Sequence, residues 1–173
     1  MYDGFDTSTD IEATAWREVL RNINEATVEG ISMTKQTTHE EAFYAAIRHS
    51  NEVFAAFKVH DMGQQMAAML LDEKGKLKPF EQWRKDVDSI ASHHTKAWLQ
   101  TEYNTAVIRA HNAADWKVFE QNQDIYPNLR WMPTSSPEPE TSHAFFWKNA
   151  LTLSINDPFW NSHHPGDRWN CKC

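Results

Sequence analysis

The chain has 173 residues, 40% of them hydrophobic, with eight Trp and nine Phe, which is ample material for a buried core and excludes wholesale disorder. A formal charge of −7 argues against a protein that holds nucleic acid over a broad basic face. Two cysteines, one residue apart at the C-terminus, rule out a disulfide scaffold and favour a reducing compartment. No apolar run approaches the ~20 residues of a membrane span, and the N-terminus lacks the basic-then-apolar layout of a signal peptide. A soluble intracellular product is expected.

After a short acidic leader, Thr9 and Glu12 form a capping box ahead of Trp16, Val19, Leu20 and Ile23 at helical spacing. Gly30 is the expected stop. Thr38 and Glu41 repeat the capping pattern for a second helix running to about Val59, its buried face expected on Phe43, Ala46, Ile47, Phe54 and Phe57. A further segment carries Met62, Met66, Met69 and Leu70 on one stripe, read as core filler.

Asp72 to Lys76 is a charged turn, and Pro79 opens a third helix with Phe80, Trp83, Val87, Ile90 and Ala91 inward. His93 and His94 point about 100° apart, which suits a helix end better than a shared site. From Thr95 to about Phe119 the pattern predicts a central helix whose stripe (Leu99, Tyr103, Ala106, Val107, Ala110, Ala113, Ala114) is small enough for another helix to approach closely. Its other side carries Glu102, Asn104, Arg109, Asn112 and Asp115, a binding face or a solvated one.

Beyond Tyr126-Pro127 the texture becomes loop-rich. Leu129 to Met132 is strand-like, Thr141 to Trp147 a short helix, and Leu151, Leu153 and Ile155 alternate as in a half-buried strand. Asn156-Asp157-Pro158 and Pro165-Gly166-Asp167 are turns. The expected fold class is α+β and predominantly α-helical: a helical body closed by a small Trp-rich module with short strands. The expected divisions are 1–37 (helix and linker), 38–125 (body) and 126–173 (a clasp cooperative with the body).

His143, Asp157, His163, His164, Cys171 and Cys173 have metal-ligand chemistry, but only one closely spaced pair exists, so no cofactor is expected and zinc on His143, His164, Cys171 and Cys173 is the candidate. Hydrolase, P-loop and dinucleotide motifs are absent from the sequence. Trp131, Trp147, Phe159, Trp160 and Trp169 could stack bases, but too few basic residues surround them, and a hydrophobic core is the favoured reading.

Asp157-Pro158-Phe159-Trp160, a Pro-Gly turn and Trp169-Asn170-Cys171-Lys172-Cys173 together resemble the ending of the phage Mu protein F-like head morphogenesis proteins. Upstream, the run from Trp98 through Glu102, Tyr103 and Asn104 to Ala106, and the run from Tyr126 to Trp131, are similar to the family's helix and strand, as is the stretch from Asn51 to Phe80. Where many members carry an upstream Cys-x-x-Cys, this chain has Thr134-Ser135-Ser136-Pro137, so half of that ligand set is missing. Members commonly continue past this ending, some of them into a further domain. The resemblance implies a minor head protein rather than an enzyme, associated with portal, capsid or scaffold proteins in the phage head and in the host cytoplasm during assembly, with a part in DNA delivery for some members. The competing reading is a metal-dependent enzyme or effector using the C-terminal His/Asp/Cys set.

Overall fold

The computed structural model describes residues 6–34, 39–94, 99–137 and 141–173. Among these are five α-helices: α1 (Ala13–Ser32), α2 (Glu41–Ala68), α3 (Phe80–Ser92), α4 (Leu99–Gln121) and α5 (Ala144–Lys148). A two-stranded antiparallel sheet pairs β1 (Asn128–Arg130) with β2 (Thr152–Ser154), Leu129 facing Leu153 in register. This is the mainly helical α+β architecture expected. By their contacts the residues fall into two compact units: one comprises Met1–Asn24 with Tyr44–Gln100, the other Glu25–Phe43 with Thr101–Cys173.

In the first unit, α1 starts one residue beyond the predicted capping box. Glu12, not Thr9, caps it, its carboxylate accepting the Thr14 and Ala15 N–H groups at 3.0 and 2.6 Å. Trp16 Nε1 donates to the Glu52 carbonyl at 3.2 Å, and Asn51 donates to Asn24 at 2.9 Å, tying α1 to α2. The second helix is one continuous element through Ala68, and its Thr38 cap lies outside the described residues. Its buried residues are Ala55 and Val59, whereas Phe57 is 70% exposed. Residues two apart on a helix point about 200° apart, so burying Ala55 turns Phe57 outward.

The charged turn forms as expected, with Asp72 Oδ1 accepting the Lys74 and Lys76 N–H groups and Gly75 at φ 72°. Pro79 opens α3, which buries Val87 but leaves Phe80 exposed, contrary to the predicted inward face. Trp83 Nε1 donates to the Met66 carbonyl at 2.9 Å, which draws its ring against α2.

In the second unit the end of α1 lies against α4. A Cβ on Gly30 would stand 2.2 Å from the Val107 carbonyl oxygen and 2.9 Å from Ala110 Cβ. Gly30 is therefore a close-approach residue and not a stop, since α1 continues to Ser32. The small-residue stripe of α4 works as predicted, with Ala110 and Ala114 buried. Trp131, directly after β1, and Trp160 are buried and stack nearly parallel (11°) at 5.9 Å. Phe146 packs 4.8 Å from Trp131, and Phe159 5.1 Å from Trp160. Of the five rings expected in this core, Trp147 and Phe159 are half-buried and Trp169 is exposed.

Candidate metal centre

The polar side of α4 holds the tail. Thr105, Arg109 and Asn112 recur at i, i+4 and i+7, so they share a face. Asn112 donates to the Pro165 carbonyl at 2.9 Å; Arg109 donates to the Gly166 and Asp167 carbonyls at 3.2 and 2.9 Å; Thr105 Oγ1 accepts the Asn170 N–H at 3.0 Å. The tail thus approaches the helix backbone-first. Gly166 makes this possible: it sits at φ 85°, and a Cβ there would stand 2.6 Å from Asn112 Nδ2. Asn170, at φ 53°, supplies a second left-handed turn just before Cys171, a conformation asparagine tolerates better than most residues.

That path brings the terminal cysteines to His143, which a one-turn 3-10 segment (Thr141–His143) sets at the start of α5. His143 is 2% exposed. Its Nδ1 lies 3.3 Å from Cys171 Sγ and 3.6 Å from Cys173 Sγ, and the three ligand atoms all lie within 4.8 Å of one another. On the other side of the ring, Nε2 stands 3.0 Å from Asp167 Oδ1, ion-pair distance, yet no hydrogen bond of good geometry reaches that buried oxygen. The Trp131 Nε1 donor is buried and likewise makes no hydrogen bond of good geometry, though it faces Cys173. Burial, followed by the hydrogen bond with Cys171, pushes the Cys173 thiol up to about 12, with the Trp131 indole N–H acting in the opposite direction. Two soft sulfurs and an imidazole converging in this way could hold a transition metal.

The four zinc candidates do not all converge. His164 lies 4.6 Å from the Trp116 ring, outside the cluster, and burial lowers its pKa. His163 packs on Phe159 at 4.7 Å. Asp157 caps the turn Pro158–Asn161 by accepting the Phe159 N–H at 2.8 Å, with Pro158 at the position where proline costs least. Asp167, which the sequence marks only as a turn residue, faces the cluster instead. A groove of about 740 Å³ runs alongside, lined by Trp116, Trp131, Trp160, Arg130, His164 and Cys173 among others.

The remaining motif residues have structural partners or lie at the surface. Glu102 is 4% exposed on α4, and Tyr103 Oη donates to Glu29 at 2.6 Å, the bond that raises the tyrosine pKa. Asn104 and Tyr126 are exposed, as is Trp169, which sits 5.7 Å from the Arg109 guanidinium. Trp98 lies outside the described residues.

The cluster, the groove and the gripping face of α4 all fall within residues 73–173, which match the family model described as "Phage Mu protein F like protein" apart from Phe43 at the groove's edge. The chain belongs to this family. Over 75 residues this Mu F-like chain is 27% identical to "Putative capsid assembly protein F" of Escherichia phage Mu, covering 43% of the chain and 17% of that protein. The matched segment is thus a small part of that relative's length. No solved structure matches.

Proposed function

We propose that this Mu F-like chain acts in assembly of a phage or prophage head, as a structural component that docks on portal, capsid or scaffold proteins. The family match over residues 73–173 carries the reading, and the capsid-assembly name of the Mu relative agrees with it. Exposed apolar side chains suit a docking role: Ile125, Tyr126 and Phe145 are each 69% exposed and Met132 58%. A structural role is favoured because Arg109 and Asn112, two of the polar α4 side chains that line the groove, are committed to the tail's backbone. Any part in DNA delivery would act through head partners, since the net charge of −7 suits no broad DNA-binding face. Its place of work is the phage head, reached from the host cytoplasm during assembly; no helix among the described residues is long and apolar enough to cross a membrane.

The test is co-expression with the portal and major capsid proteins of the same genome, followed by co-sedimentation. The chain is expected in the head fraction, and Ile125→Asp with Tyr126→Ser should release it while leaving it folded. Heads that assemble to full yield and infectivity without the chain, together with no association with any head protein, would refute the proposal.

A further inference from the structure

We propose that His143 Nδ1, Cys171 Sγ and Cys173 Sγ bind one zinc ion, with Asp167 orienting the imidazole from behind and the fourth position taken by water. The assignment departs from the sequence-level candidate set by leaving out His164 and adding Asp167 as a positioning residue. It does not depend on the head-assembly reading.

Distances carry the first part. A tetrahedral ion with Zn–S of about 2.3 Å and Zn–N of about 2.05 Å requires a sulfur-to-nitrogen separation of about 3.6 Å. The two separations here are 3.3 and 3.6 Å, so an ion fits with shifts of a few tenths of an ångström. Two thiolates and an imidazole are the donor set zinc selects, while magnesium and calcium require oxygen donors that this cluster lacks.

Two buried polar atoms without a hydrogen bond of good geometry carry the second part. With the metal on Nδ1, the proton of His143 must reside on Nε2, facing the Asp167 carboxylate 3.0 Å away. A small ring rotation then satisfies Oδ1, the acceptor otherwise left without a good hydrogen bond. This is the carboxylate–histidine–metal arrangement that fixes tautomer and ring orientation. A thiolate at Cys173 would likewise be a stronger acceptor for Trp131 Nε1, a buried donor that faces this sulfur without a hydrogen bond of good geometry. The competing use of the two sulfurs, a Cys171–Cys173 disulfide, is strained at this spacing. Because Cys173 lines the groove, solvent can reach the ion from that side.

The test uses the full chain, purified reduced and free of any histidine tag. Elemental analysis should find about one zinc per chain. After chelation, Co2+ should restore one equivalent, with the thiolate-to-cobalt charge-transfer band and strong visible absorption of a tetrahedral site. Cys171→Ser, Cys173→Ser and His143→Gln should abolish or sharply weaken binding, whereas His164→Gln should keep the stoichiometry and spectrum. Asp167→Asn should weaken Co2+ binding about 10–100-fold with the spectrum retained. Metal-free purified protein that also yields no charge-transfer band with Co2+ overturns the proposal, and this readout needs no variant to fold. Loss of the band in His164→Gln, or its retention at full strength in both cysteine variants, overturns the ligand assignment; unchanged affinity in Asp167→Asn overturns the role given to Asp167.

Discussion

Replacing Trp160 by Ala tests whether the tail closes the second unit. The ring is 4% exposed, stacks on Trp131 at 5.9 Å, meets Trp116 edge-on at 5.5 Å and donates from Nε1 to the Ser154 carbonyl at 2.8 Å. A tryptophan buries roughly 150–250 Å², which at about 25 cal/mol per Å² corresponds to about 4–6 kcal/mol. The extended-chain reference inflates such sums by about 10–40%. Ser154 is exposed, so water can replace the lost hydrogen bond and adds little further cost. The groove beside the ring also lets the space refill, which places the expected loss at about 3–4 kcal/mol, the lower part of the range for such truncations. Urea unfolding followed by far-UV circular dichroism measures it: with a slope of about 2 kcal/mol/M the midpoint should fall by about 1.5–2 M. Trp160→Phe, which keeps a ring but loses the N–H, should cost about 1–2 kcal/mol. A loss well under 1 kcal/mol for the alanine variant would mean the ring closes nothing, and the clasp reading of the tail would fall.

Gly30→Ala should destabilise by about 2–3 kcal/mol, because its Cβ meets the Val107 carbonyl oxygen at 2.2 Å and forces α1 and α4 apart; Gly63→Ala on α2, with nothing within 4 Å, should instead stabilise by up to about 1 kcal/mol, and equal melting shifts would refute the contrast. Burial lowers the pKa of His164, so the unfolded state binds the proton more readily; the stabilising effect is complete above the unfolded pKa of about 6.5 and is lost as pH falls through the lower folded value. Urea midpoints measured from pH 8 to 5 should therefore fall less steeply for His164→Gln than for the native chain, and parallel curves would remove His164 as the source. Arg109→Ala, which loses bonds to the Gly166 and Asp167 carbonyls and the contact with Trp169, should cost about 1–2 kcal/mol in the same unfolding assay, with Arg109→Lys recovering little because the forked geometry is gone.

What could be read in advance follows from how many independent signals each element carries. The α4 stripe was legible because period and residue size agree, and Ala110 and Ala114 are buried where expected. The α2 face was not, because apolar residues occur all round that helix; Phe57 looks as core-like as Val59 in a string of letters, yet burying Ala55 and Val59 points it outward. Gly30 reads as a helix stop from propensity alone, and only the nearness of Val107, far away in sequence, gives it another meaning. At the candidate site the residue types were visible but their convergence was not. His143 and Cys171 are 28 positions apart across two turns and a strand, and neither periodicity nor spacing can fix such a distance. His164 and Asp167 lie on one loop, and which of them faces the cluster depends on the left-handed turn at Gly166.

Asp167 joins the tail's two jobs. Its backbone carbonyl is held by Arg109 from α4, while its carboxylate faces His143 at the head of α5. The grip on the backbone therefore sets where the carboxylate can stand, and any loosening of α4 from the tail is felt at the His/Cys cluster. This also accounts for the form the grip takes. Thr105, Arg109 and Asn112 all bind main-chain atoms of the tail, so side chains on the tail remain free to turn the other way, toward His143, Trp131 and each other. A tail held by its side chains would have none left for the cluster. The motif ending is thus a backbone-docked strap: its turns place the sulfurs, Trp160 packs in the buried ring cluster, and the helix supplies the anchor.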